Sequence, residues 1–263
     1  MDRLLHPRGF RWATREPVRR PNVRRPMLTS FPIIRSSLSL DAQLEVDVDS
    51  AAAEIIDQTM RILVVGAGAV GGYFGARLAE AGRDVTFLVR QERAERIKDA
   101  GIRIVSPHGD LTVHPNVVTS DQINEHYDVV LVAVKSYALT EAMDDFSHAI
   151  GTDTMILPAL NGMRHIDLLI SRFGKATVIG GVCKVATELD DQGRIRQLAR
   201  FQSLAYGEID GERTPRIERL DDELRGAGFD AEISDRIVAD MWQKWVQLSS
   251  LGAVTCLLRS NIG

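Results

Sequence analysis

The residues best suited to chemistry lie in the run Gly66-Ala67-Gly68-Ala69-Val70-Gly71. It follows directly on the apolar stretch Arg61-Ile-Leu-Val-Val65. It leads into a segment in which Val70, Phe74, Leu78 and Ala81 recur at helical spacing. A second apolar run, Val85 to Val89, comes next. A strand, a G-x-G-x-x-G turn, a helix and a second strand form the context in which this fingerprint binds a dinucleotide. Gly66 makes the tight turn, Gly68 lets backbone approach a pyrophosphate, and Gly71 lets the helix pack on the strand. The helix N-terminus adds oriented N–H groups and a partial positive charge.

The residue closing the second strand selects between cofactors. An NAD site usually offers Asp or Glu there to bond the ribose 2′-hydroxyl. This chain offers Arg90, with Gln91 and Arg93 nearby and no acid before Glu92. A guanidinium pairs with a 2′-phosphate, so NADP (as NADPH) is expected over NAD. The plainer alternative is a solvated arginine capping the loop.

The elements that must carry these residues alternate along the chain. Short strands are expected at 102–106 and 111–114, and a continuous apolar run from Asp128 to Val134 reads as a buried parallel strand. A helix is expected over 138–149, a strand over 154–160 and a helix over 165–173. More strands follow near 177–189, 194–199 and 203–209, then a charged helix over 214–227, a strand over 231–234 and a long apolar helix from Asp235. This is an α/β chain, a Rossmann-like doubly wound sheet extended by extra strands. Ligands of such sheets sit beyond the C-terminal strand ends, which adds Lys135 and Asn161 to the candidate site. Each also has a plain reading, as a snorkelling lysine and as half of an Asn-Gly turn.

Composition narrows the function classes. The chain has 263 residues, 44% hydrophobic and 26% charged, with a net charge of -4. No nucleic-acid partner is expected from that balance, and no apolar run reaches the ~18 to 20 residues that span a bilayer. Two cysteines, Cys183 and Cys256, exclude a disulfide framework and point to a reducing, cytoplasmic setting. His114, His126, His148 and His165 show no metal-ligand spacing, so no metal is expected. Cys183 reads as a small buried hydrophobe. Residues 1–59 read as a largely disordered extension, rich in arginine and proline at first and acidic over 41–59. They fit either an organelle transit peptide or sequence upstream of a true start at Met60.

Taken in order, Met60-Arg-Ile-Leu-Val-Val-Gly-Ala-Gly-Ala-Val-Gly-Gly72, Val-Ala-Val-Lys135-Ser-Tyr, Leu-Asn161-Gly-Met163, Gly180-Gly-Val-Cys-Lys-Val-Ala186 and Met241-Trp-Gln-Lys244-Trp-Val-Gln resemble the 2-dehydropantoate 2-reductase (ketopantoate reductase) family. The resemblance implies NADPH-dependent reduction of a 2-keto acid to a 2-hydroxy acid, as in pantothenate biosynthesis. It places Gly66 to Gly71 on the pyrophosphate, Arg90 on the 2′-phosphate, Lys135 and Asn161 along the cofactor and substrate cleft, and Ala186 at a backbone contact to cofactor. Lys244 matches the catalytic lysine that gives a proton as hydride reaches the carbonyl carbon. Without the resemblance it reads as a surface lysine on an amphipathic helix.

The resemblance also implies a division into a cofactor domain over 60–234 and the first helix of an incomplete all-α domain over 235–263. Leu248 and Gly252 stand where many relatives have asparagines, so a keto acid less polar than ketopantoate is also open. Met241, Trp242, Trp245, Val246, Leu251, Val254, Leu257 and Leu258 are expected to lack helical cover, with Trp242 and Trp245 read as core or homodimer contacts. The competing expectation is a cofactor-binding module, or a fragment of a reductase, without turnover.

Overall fold

The computed structural model describes residues 59–261. The expectations for residues 1–58 lie outside that range. Five parallel strands form the first sheet: β1 (Arg61–Val65), β2 (Asp84–Leu88), β5 (Asn116–Val118), β6 (Tyr127–Val132) and β7 (Ile150–Pro158). Their order is β5-β2-β1-β6-β7, so the chain reverses direction across the sheet between β1 and β6. A parallel sheet must be covered on both faces, and β1 is apolar on both. Ile62 and Val64 point into one core and Leu63 and Val65 into the other, all buried.

The first core is closed by α1 (Ala69–Glu80), α2 (Gln91–Ala100) and α5 (Pro215–Leu224), with Tyr73, Phe74, Ile97 and Leu220 buried in it. The second is closed by α3 (Leu139–Asp145), α4 (Arg164–Phe173) and the start of α6 (Ile237–Leu258), through Leu139, Met143, Leu169, Ile237 and Met241. At α5 the local sequence dictates the start. Pro215 occupies the first turn, where its missing N–H costs nothing, and the Thr214 hydroxyl accepts from the Ile217 N–H at 3.4 Å.

The extra strands do not extend the first sheet but build a second one. A hairpin of β8 (Ile179–Leu189) and β9 (Ile195–Glu208) is its backbone. The far edge of β9 pairs in parallel with β3 (Ile102–Val105) at one end and β10 (Asp230–Ile233) at the other, and β4 (Leu111–Val113) adds to β3 antiparallel. Among the described residues the only bridge toward β7 is Ile156–Val178, just before β8 begins. The separate strands expected at 194–199 and 203–209 are one 14-residue strand. The hairpin turn is fixed by Asp190, whose carboxylate accepts from the backbone N–H groups of Gln192 (3.0 Å) and Arg194 (2.9 Å).

Two elements escape the sequence pattern. Helix α2 is mostly polar and charged and buries only Ala94 and Ile97, and β5 is a three-residue edge strand. The helix expected over 138–149 stops at Asp145, and a short 3-10 turn follows at Ser147–Ala149. Among the described residues no helix is long and apolar enough to cross a membrane.

Candidate active site

The C-terminal ends of β1, β2 and β6 open into a cleft of about 1610 Å³. That exceeds the ~300 to 1,000 Å³ of common small-ligand pockets. Gly66, Ala67, Gly68, Ala69, Val70, Arg90, Lys135 and Asn161 all line it. Gly66 leaves β1 at φ +96°, a backbone state that disfavours side chains, and its N–H donates to the Leu88 carbonyl at 3.1 Å. Gly68 caps α1 without a side-chain hydrogen bond, and no acid occupies the helix's first turn. A Cβ placed on Gly68 would meet nothing within 4 Å. The N–H groups at that end of α1 therefore face open cleft.

Gly71 lies behind this surface. A Cβ there would come within 2.2 Å of the Gly66 carbonyl oxygen and 2.8 Å of Ala133 Cβ. Its role is close packing of α1 on the strand ends. Ala186 is likewise not in the cleft wall. It sits at the irregularity in the β8–β9 ladder between Val185 and Thr187. Thr187 does line the cleft, and its buried hydroxyl has no hydrogen-bond partner among the described residues.

Arg90 caps α2 and is largely exposed; its Nη2 donates to both carboxylate oxygens of Glu141, at 3.1 and 2.9 Å. One turn further along α2, Arg93 donates to the Ala67 carbonyl at 3.3 Å and so braces the glycine turn. Burial, and then neighbouring Arg96, draw its pKa down. Arg93, named beside Arg90 in the sequence, lines the cleft as well. Lys135 and Asn161 are both exposed at the ends of β6 and β7. Lys135 starts the short turn Ser136–Ala138, its carbonyl accepting from the Ala138 N–H at 2.9 Å.

Lys244 does not line the large cleft. It borders a small neighbouring cavity of about 10 Å³ with Leu160, Gly162, Gly181, Val182, Met241 and Trp245, and Leu160 belongs to both cavities. Helix α6 reaches this point because Ile237 and Met241 are buried and Trp245 lies 3.9 Å from a Cβ built on Gly162. The half-buried ammonium approaches Cys183 Sγ at 3.9 Å. The thiol also donates to the Ala159 carbonyl at 3.5 Å, and burial raises its pKa against the pull of Lys244. It is a packed thiol rather than a reactive one.

His165, at the start of α4, is buried beside this group. Burial, and then the charge of Lys244, hold its pKa down to about 4 against the opposing pull of Asp167. Its Nε2 has no partner among the described residues. A neutral imidazole therefore lies next to the lysine, a pairing that the spacing of the histidines in sequence does not indicate. Among the described residues no three His, Cys, Asp or Glu are grouped to hold a metal.

Residues 62–211 match the family model described as Ketopantoate reductase PanE/ApbA. The chain belongs to the ketopantoate reductase family. It is 39% identical over 204 residues to a Bacillus subtilis protein called uncharacterized oxidoreductase YkpB, covering 78% of this chain and 67% of that one. It is 30% identical to a 2-dehydropantoate 2-reductase of Mesorhizobium japonicum, covering 72% and 65%. Among solved structures, 2-dehydropantoate 2-reductase from Geobacter metallireducens superposes with a TM-score of 0.70 at 31% identity, covering 76% and 66%. The chain thus spans about two thirds of the length of the curated relatives it matches. The family comprises NAD(P)-dependent oxidoreductases of small keto acids, and its fold is the Rossmann-like α/β arrangement described above.

Proposed function

We propose that the chain binds NADPH along Gly66–Val70 and contributes Lys244 to the reduction of a 2-keto acid, ketopantoate or a close relative, to the 2-hydroxy acid. The observation that carries this reading is the open N-terminus of α1, where Gly68 presents unobstructed backbone beside a cleft too large for a small metabolite alone. The donor set suits the cofactor: free helix N–H groups for pyrophosphate, Arg90 at the 2′-phosphate end, and the unpartnered Thr187 hydroxyl further along the wall. When bound, the reduced nicotinamide supplies the hydride that adds to the carbonyl carbon.

The chain's own residues do the rest. Lys135 offers a cation at the end of β6, and Asn161 an amide at the end of β7, to a carboxylate and carbonyl lying over the strand ends. As the C=O bond becomes a C–O single bond, negative charge collects on oxygen. The Lys244 ammonium stabilises that charge and transfers one N–H proton to it, giving the hydroxyl. The neutral amine then regains a proton from water. Overall, keto acid, NADPH and a proton become hydroxy acid and NADP⁺. Residues 60–234 form the cofactor domain in this reading, and the segment from 235 onward brings Lys244 to its edge.

The test is consumption of NADPH with a panel of 2-keto acids by the parent and by Lys244→Ala. A positioned acid contributes about 10² to 10⁴ in rate. The variant should lose at least a hundredfold in kcat while still binding NADPH normally, because Lys244 lies outside the large cleft. Equal turnover by both proteins would remove Lys244 from the mechanism. NADPH binding without turnover of any keto acid by the parent would refute the reductase reading.

A further inference from the structure

Arg90 and Glu141 approach the cleft from opposite sides of β1. Arg90 follows β2, whereas Glu141 stands in the first turn of α3, which follows β6. Both line the cleft, and their side chains meet over its outer end with Nη2 at 2.9 and 3.1 Å from the carboxylate oxygens. Asp145, one helical turn beyond Glu141, lines the same wall. Burial, and then Glu141, raise its pKa against a hydrogen bond from Ser120 and the charge of Arg90, so the two acids are electrostatically coupled there. The guanidinium that reads from sequence as a free phosphate clamp is therefore already engaged by a carboxylate.

That arrangement changes what the site rewards. A ribose 2′-phosphate carries close to two negative charges, and beside Arg90 it would stand against Glu141 as well. A 2′-hydroxyl in the same place can donate to Glu141, much as it does to the acid ending the second strand of NAD-selective folds. Here the β2 end lacks that acid, and Glu141 supplies one from the β6 side.

Resting on the reading of this cleft as the cofactor site, we propose that Glu141 is a specificity-determining residue that weakens NADPH and admits NADH. Arg90 favours the phosphate, Glu141 opposes it, and the observed preference is the difference between them. Glu141→Gln removes the charge but keeps an amide oxygen for Arg90, and the position is exposed, so the fold is not at stake.

The experiment is direct titration of NADPH and of NADH, followed by nicotinamide fluorescence, into the parent, Glu141→Gln and Arg90→Ala. Removing one partly screened like charge is worth about a five- to tenfold gain in NADPH affinity. The ratio of NADH to NADPH dissociation constants should therefore rise at least fivefold in Glu141→Gln, fall in Arg90→Ala, and show a smaller gain at high salt. A ratio unchanged or lowered in Glu141→Gln overturns the proposal and makes Glu141 a holder of Arg90 only. Binding of neither cofactor to the parent would instead overturn the assignment of the cleft itself, and this proposal with it.

Discussion

Two glycines of one turn should respond to the same substitution in opposite ways. At Gly71 a methyl group would sit 2.2 Å from the Gly66 carbonyl oxygen and 2.8 Å from Ala133 Cβ. Neither is the end of a flexible side chain, so α1 must move off the strand ends. Overpacking of this kind costs about 1 to 3 kcal/mol, and backbone contact on one side puts Gly71→Ala at the upper part of that range. In a domain of this size about 2 to 3 kcal/mol lowers Tm by roughly 4 to 12 °C. At Gly68 the backbone is extended (φ -81°, ψ -166°), which alanine adopts freely, and nothing lies within 4 Å. Gly68→Ala should change stability by less than about 1 kcal/mol, the smaller unfolded-state entropy offsetting the poorer cap. In the proposed reading its methyl would stand where the pyrophosphate approaches the helix N-terminus. Charge-assisted hydrogen bonds are worth about 1.5 to 3 kcal/mol each, so losing one weakens NADPH by tenfold or more. Thermal unfolding and NADPH titration on both variants separate the two effects. A Gly68→Ala protein that binds NADPH as tightly as the parent would refute the placement of pyrophosphate. An unshifted Tm in Gly71→Ala would refute the packing argument.

His165 should make stability fall as pH drops. Its folded pKa of about 4 lies below the ordinary 6.5, so between those values the unfolded chain holds the extra proton and stability rises with pH. The window from pH 6.5 down to 4 should cost the parent up to about 3 kcal/mol, and His165→Asn should lose that part of the slope in urea midpoints measured across it. If both proteins keep the same slope, the imidazole is not held neutral in the fold. In the second sheet, the Tyr206 hydroxyl donates to Asp221 Oδ1 at 2.6 Å, and the buried carboxylate also pairs with Arg225. Tyr206→Phe leaves that carboxylate one donor short and should cost about 1 to 3 kcal/mol as a lower urea midpoint with an unchanged m-value. No change in midpoint would mean that Arg225 alone satisfies Asp221.

The start of the parallel sheet is legible because its signals are local. Residues Arg61 to Leu88 carry two apolar strands, a helix at regular spacing and a turn in which Gly66 takes a positive φ and Gly71 permits close packing. The second sheet is not legible in that way. Its strands are recognisable one by one, but nothing local says that β9 pairs with β3, some ninety residues earlier, rather than with β7. Helix α2 hides for a related reason. It buries only Ala94 and Ile97, three positions apart on one face, so the 3.6-residue period is nearly silent.

The site is unevenly legible for similar reasons. Strand-end residues such as Arg90, Lys135 and Asn161 follow from topology once the sheet is known, and they do line one cleft. Glu141 and His165 depend on side chains meeting across separate elements, which no spacing in the chain records. Lys244 had no signal of its own beyond the resemblance. The fold sets it beside Cys183 and next to the Asn161-Gly162 turn, while Trp242, Val246, Val254, Leu257 and Leu258 on the same helix remain exposed.

The most direct test of the account is the path of the hydride. NADPH deuterated at the transferable C4 position would be incubated with this protein and a 2-keto acid, and the product analysed by mass spectrometry. The account predicts a 2-hydroxy acid carrying one deuterium at C2, formed in step with NADP⁺ and lost in Lys244→Ala. A hydroxy acid without deuterium at C2, or no product while the cofactor is bound, would contradict it.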